Sequence, residues 1–239
     1  DGFPELNGFG LAVALGFIIG GIVCQRELAR RGQDPTPVGN AMMGAIIGFI
    51  IGAKVYYALL NGDVSLVFSR EGLVFWGGLV GGVAGAWIAL RLTRTPFWPV
   101  ADVARIGIAA GYAVGRTGCW AVGDDYGKPW DGPLAVQFPE GIPPSTAGHM
   151  AQYFGVQFPA GTDQATLVAV HPTQLYEVAM GLLMFGVLWR LRRHGHAAGW
   201  LLGVYALLAG IERLIVEIFR AKDDRFFGPL TLAQVIAIG

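Results

Sequence analysis

The sequence predicts an all-α protein, a polytopic membrane bundle of about seven transmembrane helices with its N-terminus outside. Three observations support this fold class. Of the 239 residues, 54% are hydrophobic and only 14% are charged, whereas soluble domains carry about 25% charged residues. The apolar residues form long runs, and a helix needs roughly 20 residues to cross a bilayer. The 37 glycines suit the close packing of membrane helices.

The apolar runs predict the helices in chain order. The segments are 7–25, 38–60, 72–92, 98–117, 173–190, 198–219 and 229–239. The last is too short to span a bilayer within this sequence. Because no stretch is long enough to fold as a separate soluble domain, residues 1–239 are predicted to form a single integral membrane domain. The sequence does not begin with methionine, and we expect both ends to be trimmed or processed.

Basic residues predict the orientation of the helices. They follow the first, third and fifth segments, and they are Arg26, Arg30, Arg31, Arg91, Arg94, Arg190, Arg192 and Arg193. The positive-inside rule makes these connections cytoplasmic. The N-terminus and the loop 118–172, between the fourth and fifth helices, are therefore predicted to lie outside. This loop is rich in Gly, Pro, Thr and aromatic residues, which favours an ordered outer head region.

The composition also limits the chemistry. The formal net charge is zero, so nothing indicates a nucleic-acid partner. The two cysteines, Cys24 and Cys119, provide neither a disulfide framework nor a metal-binding pattern. We therefore expect no metal ion and no other cofactor.

A set of polar residues lies within the predicted helices or at their outer ends. A charge in the bilayer is costly and usually faces a polar cavity or a partner. The predicted topology places all of these residues at one membrane depth, which indicates a polar cavity near the outer leaflet. They are Arg116, Asp124, Asp125, His171, Tyr176, Glu177, Arg213, Glu217 and Arg220.

These residues have a functional and a structural interpretation. An arginine side chain donates paired hydrogen bonds and stays charged, so it suits the phosphate of a lipid headgroup. However, Arg213 and Glu217 can form an intrahelical ion pair, and Arg116 can extend to the membrane interface. Asp124 and Asp125 can be ordinary turn residues. The residues alone leave both interpretations open.

Three stretches resemble the bacterial prolipoprotein diacylglyceryl transferases. They are GRTGCWAVGDDYG (115–127), HPTQLYE (171–177) and ERLIVEIFR (212–220). A fourth stretch, GLVFWGGLVGG (72–82), is similar to the glycine-rich helix of that family. The resemblance runs from about Gly72 to the C-terminus, and the predicted topology matches over the whole chain.

The resemblance implies a multi-pass enzyme of the bacterial cytoplasmic (inner) membrane, with its active site towards the outer or periplasmic face. Such an enzyme carries out the first step of lipoprotein maturation. It transfers the diacylglyceryl group of phosphatidylglycerol to the lipobox cysteine thiol of a preprolipoprotein and releases glycerol 1-phosphate. The implied partners are the phospholipid substrate and the membrane-bound signal peptide of the preprolipoprotein.

The resemblance also implies roles for single residues. Arg116 and Arg213 look like the two essential arginines of the family. Glu217 and Arg220 match further charged positions, and Gly127 matches the glycine that closes the first motif. Arginines placed at the leaving phosphate would stabilise the charge that it gains. We expect Arg116, Arg213, Arg220 and Gly127 to bind the phospholipid phosphate.

The incoming thiol has a pKa of about 8.5 and must lose its proton. Asp124 is the first candidate base and Glu217 the second, with Asp125 and His171 behind them. Alternatively, the arginines alone lower the pKa of the thiol. Cys119 is not expected to act as a covalent nucleophile, because it has no evident partner.

The sequence departs from the family pattern within the predicted site. Trp76 stands where many members carry histidine, Cys119 and Trp120 replace Asn-Phe, Asp125 replaces an apolar residue, and Ala209 replaces a tyrosine. The candidate supporting residues are Trp76, Cys119, Asp125, His171, Tyr176 and Glu177. These departures keep open an enzyme of the same fold with another acceptor or phospholipid donor. A non-catalytic lipid-binding or transport subunit is a third hypothesis, although no internal repeat typical of transporters is evident.

Overall fold

The computed structural model describes residues 8–69, 72, 74–221, 225–227, 230–231 and 234–235. This part of the chain contains seven α-helices: α1 (Gly8–Arg30), α2 (Thr36–Asn61), α3 (Phe75–Leu92), α4 (Phe97–Val122), α5 (Ala147–Phe154), α6 (Thr173–Leu191) and α7 (Trp200–Phe219). A 3-10 helix, Val64–Phe68, follows α2. Strands β1 (Arg225–Phe227) and β2 (Leu230–Thr231) pair in an antiparallel hairpin.

The predicted helical character is confirmed. The first six apolar segments correspond to α1, α2, α3, α4, α6 and α7. Helix α4 continues to Val122, beyond the predicted end at residue 117, and the short helix α5 was not predicted. The seventh predicted segment, 229–239, falls mainly outside the described residues.

Apolar helices with exposed apolar side chains are consistent with a membrane environment. By length and composition, α1 and α2 can each cross a membrane, and α3 contains a shorter apolar helix. Their exposed large side chains include Phe17, Ile18, Ile50, Ile51 and Val80. Extended apolar surface is unusual on a soluble monomer. The orientation with the N-terminus outside stays a prediction.

The chain divides into two compact units, 21–104 and 1–20 together with 105–239. In the unit 21–104, α2 and α3 pack backbone to backbone along a glycine seam, formed by Gly44, Gly48, Gly52, Gly77, Gly81 and Gly85. A Cβ atom on Gly48 would lie 2.1 Å from the carbonyl oxygen of Gly81. Only glycine permits this approach. The prediction of a single domain stays a prediction.

In the other unit, the head segment (residues 123–172) folds around its own core. Tyr126, Met150 and Val170 are buried together with Ala221, which follows α7. The Tyr126 hydroxyl donates to the carbonyl oxygen of Pro143 at 2.9 Å, and Val136 and Val170 exchange backbone hydrogen bonds. The head segment is therefore ordered, as predicted, and it packs against the residue that follows α7.

Candidate functional site

Arg116 connects three parts of the chain. Its side chain lies on α4 and is 13% exposed. The Nη1 group donates to Asp125 Oδ2 at 3.0 Å, and the Nη2 group donates to Glu177 Oε2 on α6. A buried charge needs such partners, because the loss of hydration is otherwise uncompensated. Arg116 is therefore held by partners within the protein, and its position relative to the membrane interface stays a prediction.

The first turn of α6 positions the backbone of the two aspartates. The Thr173 hydroxyl donates to the carbonyl oxygen of Asp125 at 2.6 Å. The Gln174 amide donates to the carbonyl oxygen of Asp124 at 2.7 Å. Asp125 has a φ of 60°, in the left-handed region that aspartate tolerates better than most residues. Its N–H donates to Asp124 Oδ1 at 2.7 Å, so this turn is fixed on both sides.

Asp125 lies between two guanidinium groups. One carboxylate oxygen accepts from Arg116, and the other accepts from Arg220, the residue that follows α7. The Asp125 side chain is 30% exposed. One carboxylate therefore joins the end of α7 to α4, which was predicted only as a general convergence of these residues.

Gly127 allows the end of α7 to approach the head segment. Its N–H donates to the carbonyl oxygen of His171 at 2.9 Å, and it pairs with Arg220 in a β-bridge. A Cβ atom here would lie 2.5 Å from the carbonyl oxygen of Phe219 and 2.7 Å from His171 Cβ. Gly127 therefore brings Arg220 close to Asp125, and its direct contact with a phosphate stays a prediction.

Arg213 and Glu217 form the predicted intrahelical ion pair on α7. Arg213 Nη2 lies 2.7 Å from Glu217 Oε2. The Glu217 side chain is buried, whereas Arg213 is 30% exposed, more than Arg116 or Arg220. Arg213 is therefore the most accessible of these three guanidinium groups.

The two adjacent aspartates differ in acidity. Burial acts to raise the pKa of Asp125, but the charges of Arg220 and Arg116 outweigh it and hold the pKa below its usual value. The charge of Arg213 contributes in the same direction. For Asp124, burial raises the pKa above its usual value, and the charge of Asp125 adds to this effect. Asp124 is therefore the more basic of the two carboxylates.

Sequence reasoning missed Tyr112 and Glu212. The Tyr112 hydroxyl on α4 donates to Glu212 Oε1 on α7 at 2.8 Å and lies 3.2 Å from Glu177 Oε1. One signal was available, because Tyr112 precedes Arg116 by four residues and therefore shares its helical face. Glu212 begins the motif ERLIVEIFR, but it does not lie on the helical stripe of Arg213 and Glu217, from which the site residues of α7 were chosen.

A comparison with known families identifies the family of this chain. The model of the family described as prolipoprotein diacylglyceryl transferase matches residues 2–239. The chain belongs to this family. It is an enzyme of the transferase class and of the membrane, as the resemblance implied, and the hypothesis of a non-catalytic subunit is set aside.

Similar proteins carry the name phosphatidylglycerol–prolipoprotein diacylglyceryl transferase. One from Thermosynechococcus vestitus is 28% identical, with 99% of this chain and 85% of the relative covered. One from Stenotrophomonas maltophilia is 30% identical, with 98% and 84% covered. One from Xanthomonas oryzae pv. oryzae is 32% identical, with 82% and 68% covered.

The charged cluster of this transferase contains one more carboxyl group, that of Glu212, than the sequence predicted. Among the described residues, three guanidinium groups and five carboxyl groups are linked by contacts or lie beside these links. They are Arg116, Arg213, Arg220, Asp124, Asp125, Glu177, Glu212 and Glu217. Cys119 also belongs here, since Arg116 Nη1 lies 3.4 Å from its Sγ atom. This contact was not predicted, and the expectation that Cys119 is not a covalent nucleophile stays a prediction.

His171 and Tyr176 lie in an aromatic cluster of the transferase. The His171 ring stacks on Trp130 at 4.3 Å, and the Tyr176 hydroxyl lies 3.2 Å from His171 Nδ1. Phe219 contacts both His171 and Tyr176 edge to face. Burial, followed by the charge of Lys128, lowers the pKa of His171. His171 therefore contributes packing here, and its role as a base stays a prediction.

Two further predictions concern residues or groups that these contacts do not test. Trp76 lies on α3 in the unit 21–104, and its supporting role stays a prediction. In the part of the chain that the structure describes, no group of three or more His, Cys, Asp or Glu residues could hold a metal ion. The expectation that the transferase needs no cofactor also stays a prediction.

The raised pKa of Asp124 predicts the sign of a stability change. A carboxyl group with a higher pKa in the folded state destabilises the fold once pH rises from its unfolded pKa through its folded pKa. Asp124→Asn removes this charge but keeps an oxygen for the Asp125 N–H. We expect a slightly higher unfolding temperature at neutral pH, measured in detergent, and a difference that shrinks in acid. Asp125→Asn should have the opposite effect, and a less stable Asp124→Asn protein at neutral pH would contradict the assignment.

Proposed function

We propose that this transferase moves the diacylglyceryl group of phosphatidylglycerol to the lipobox cysteine thiol of preprolipoproteins and releases glycerol 1-phosphate. One observation carries the proposal. The guanidinium groups of Arg116 and Arg220 converge on the carboxylate of Asp125. Such groups also bind phosphate oxygens. The names of the relatives supply the lipid and the protein substrate.

The chemistry is a displacement at one carbon of phosphatidylglycerol. This carbon belongs to the diacylglycerol moiety and is bonded to the phosphate oxygen. The thiolate sulfur forms a bond to this carbon, and the carbon–oxygen bond breaks. The electron pair of that bond leaves with the oxygen of glycerol 1-phosphate, which gains negative charge. Guanidinium groups that are already in position stabilise this charge in the transition state.

The three arginines are suited to different parts of this task. Arg116 is held by Asp125 and Glu177, so little reorganisation is needed when the phosphate becomes more charged. Arg220 is held on the other side of Asp125. Arg213 is the most exposed of the three, and we propose that it contacts the phosphate first.

We propose Asp124 as the base that accepts the proton of the thiol. Burial raises its pKa, which makes its carboxylate a stronger base than an ordinary aspartate. Asp125 is a poorer candidate because Arg220 and Arg116 hold its pKa down. Glu217 stays the second candidate. We further propose that the site faces the outer side of the cytoplasmic membrane, where the signal peptide docks, and that no cofactor takes part.

A reconstituted assay tests the function directly. Purified transferase is incubated with phosphatidylglycerol and a lipobox peptide, and the products are analysed by mass spectrometry. We expect a diacylglyceryl mass gain on the peptide together with free glycerol 1-phosphate. A peptide with serine in place of cysteine should not react. Absence of both products with the cysteine peptide would contradict the proposed reaction.

Arg213→Ala should reduce the rate of transfer by about 10²- to 10³-fold, the range for loss of one transition-state donor. The side chain is partly exposed, so we expect the substitution to leave the folded protein intact. Arg193→Ala is the matched control, because Arg193 is exposed and lies on the connection between α6 and α7. A wild-type rate in Arg213→Ala would remove Arg213 from the mechanism.

A second candidate is the same reaction type with another phospholipid or acceptor. The observation that favours it is that Asp125 and Cys119, two departures from the family pattern, both contact Arg116. The same assay distinguishes the candidates when phosphatidylethanolamine replaces phosphatidylglycerol. A faster reaction with phosphatidylethanolamine would favour the second candidate.

A further inference from the structure

Three helices contribute to a buried hydrogen-bonded group beside the arginines. Tyr112 on α4 lies between two glutamates, Glu177 on α6 and Glu212 on α7. Its hydroxyl oxygen is 2.8 Å from Glu212 Oε1 and 3.2 Å from Glu177 Oε1. Both glutamates are buried, with exposed fractions of 1% for Glu177 and 8% for Glu212. The proposed reaction does not use Tyr112 or Glu212.

The number of hydrogens in this group depends on its charge. A phenol has one hydrogen to donate, and an ionised carboxylate has none. If both glutamates are ionised, a hydrogen fills only one of the two contacts of Tyr112. With one more proton, Glu212 donates to the phenol oxygen while the phenol donates to Glu177, and both contacts are filled. The group therefore has a place for one additional proton.

This group is connected to the anion-binding candidates through Glu177. While Oε1 of Glu177 faces Tyr112, its Oε2 accepts from Arg116. A proton held between Glu212 and Glu177 reduces the negative charge that faces the Arg116 guanidinium. Tyr112 and Glu212 can thus change the affinity of Arg116 for an anion without touching that anion.

The additional proton can compensate the negative charge that a bound lipid phosphate brings to the cluster. Among the described residues, the cluster has two more carboxyl groups than guanidinium groups, so it is negative when every group is ionised. A lipid phosphate adds another negative charge, and like charges in a medium of low dielectric repel strongly. Uptake of one proton leaves the net charge of the site unchanged when the lipid binds.

We propose that Tyr112 and Glu212 are positioning residues which, through Glu177, let the site take up one proton for each lipid phosphate that it binds. The proposal rests on the proposed function for the identity of the lipid. The charged and titratable groups around Glu212 come from three helices. They are Tyr112 and Arg116 on α4, Glu177 on α6, and Tyr205, Arg213 and Arg220 on or directly after α7.

Calorimetry measures the proton directly. Phosphatidylglycerol in detergent is titrated into the whole transferase in Hepes and in Tris, whose ionisation enthalpies differ. We expect uptake of about one proton per lipid, and binding that weakens by up to about tenfold for each pH unit in the alkaline range, as linkage to one proton requires. Phosphatidylcholine, which has no net charge, should cause no such uptake. Wild-type protein that binds phosphatidylglycerol without proton uptake would overturn the proposal.

Variants identify the group that takes up the proton. In Glu212→Gln the amide stands for the protonated acid, so we expect uptake near zero and binding that no longer depends on pH. Tyr112→Phe removes the hydroxyl group that connects Glu212 to Glu177, and it should reduce proton uptake as well. Glu27→Gln removes a buried ion-paired glutamate on α1 and should keep the wild-type uptake. Wild-type uptake in Glu212→Gln would exclude this group as the acceptor.

The outcome is independent of catalysis. A transferase that reacts with the lipobox peptide but shows no proton uptake would leave the proposed function intact and refute this inference. Conversely, proton-linked lipid binding without transfer would refute the proposed function alone. Thermal unfolding of each variant checks that the compared proteins are folded.

Discussion

Arg116→Ala should lower the rate of transfer by about 10³-fold, the upper part of the range for a lost transition-state donor. It should also destabilise the protein by about 3–5 kcal/mol, the cost of removing one partner of a buried ion pair. The physical reason is that Glu177 is almost fully buried and would lose its cationic partner. Transfer assays and unfolding in detergent measure the two effects.

Two further variants separate activity from stability. Arg116→Lys keeps the charge but not the planar fork that reaches both Asp125 and Glu177, so its activity should stay low. Arg116→Ala combined with Glu177→Gln removes both charges, and we expect it to recover stability but not transfer. Normal activity of the double variant would show that Arg116 only neutralises Glu177.

Gly48→Ala should destabilise the unit 21–104 by about 3 kcal/mol or more, the upper range for overpacking in a dense interior. The new Cβ atom would lie 2.1 Å from the carbonyl oxygen of Gly81 and 3.1 Å from Gly85 Cα. Both neighbours are backbone atoms, so no side-chain rotation can relieve the overlap. The temperature of thermal unfolding, measured in detergent, tests this expectation.

Gly39→Ala is the matched control on the same helix. A Cβ atom on Gly39 meets nothing within 4 Å, and alanine favours a helix over glycine by up to about 1 kcal/mol. We therefore expect an unchanged or slightly higher unfolding temperature. Equal unfolding temperatures for the two variants would show that α2 and α3 can move apart to admit the Cβ atom without loss of stability. This result would contradict the close packing of the glycine seam.

Most helices could be predicted because their signal is local. A run of apolar residues identifies a segment such as 38–60 whatever its neighbours are, and the structure places α2 there. Helix α5 has eight residues within the head segment and carries no such run. Its limits are set by Thr146, which accepts from the His149 N–H at 3.3 Å, and by Gly155, which has a positive φ.

Part of the site could also be predicted, because some of its contacts depend only on local spacing in the sequence. Arg213 and Glu217 were paired correctly, because their spacing on one helix is itself the contact. The contact of Asp125 with both Arg116 and Arg220 was expected only as proximity. The choice of partner depends on a left-handed turn and on hydrogen bonds from Thr173 and Gln174, which are distant in sequence.

The sequence by itself determined the helical membrane class, the family, and the set of arginines and carboxylates in its motifs. It could do so because hydropathy and short motifs are properties of neighbouring residues. Only the tertiary structure decided how the charges on different segments are paired, and it added Tyr112 and Glu212 to them. Pairing depends on the rotation and approach of α4, α6 and α7, and these follow from packing over the whole unit rather than from any single segment.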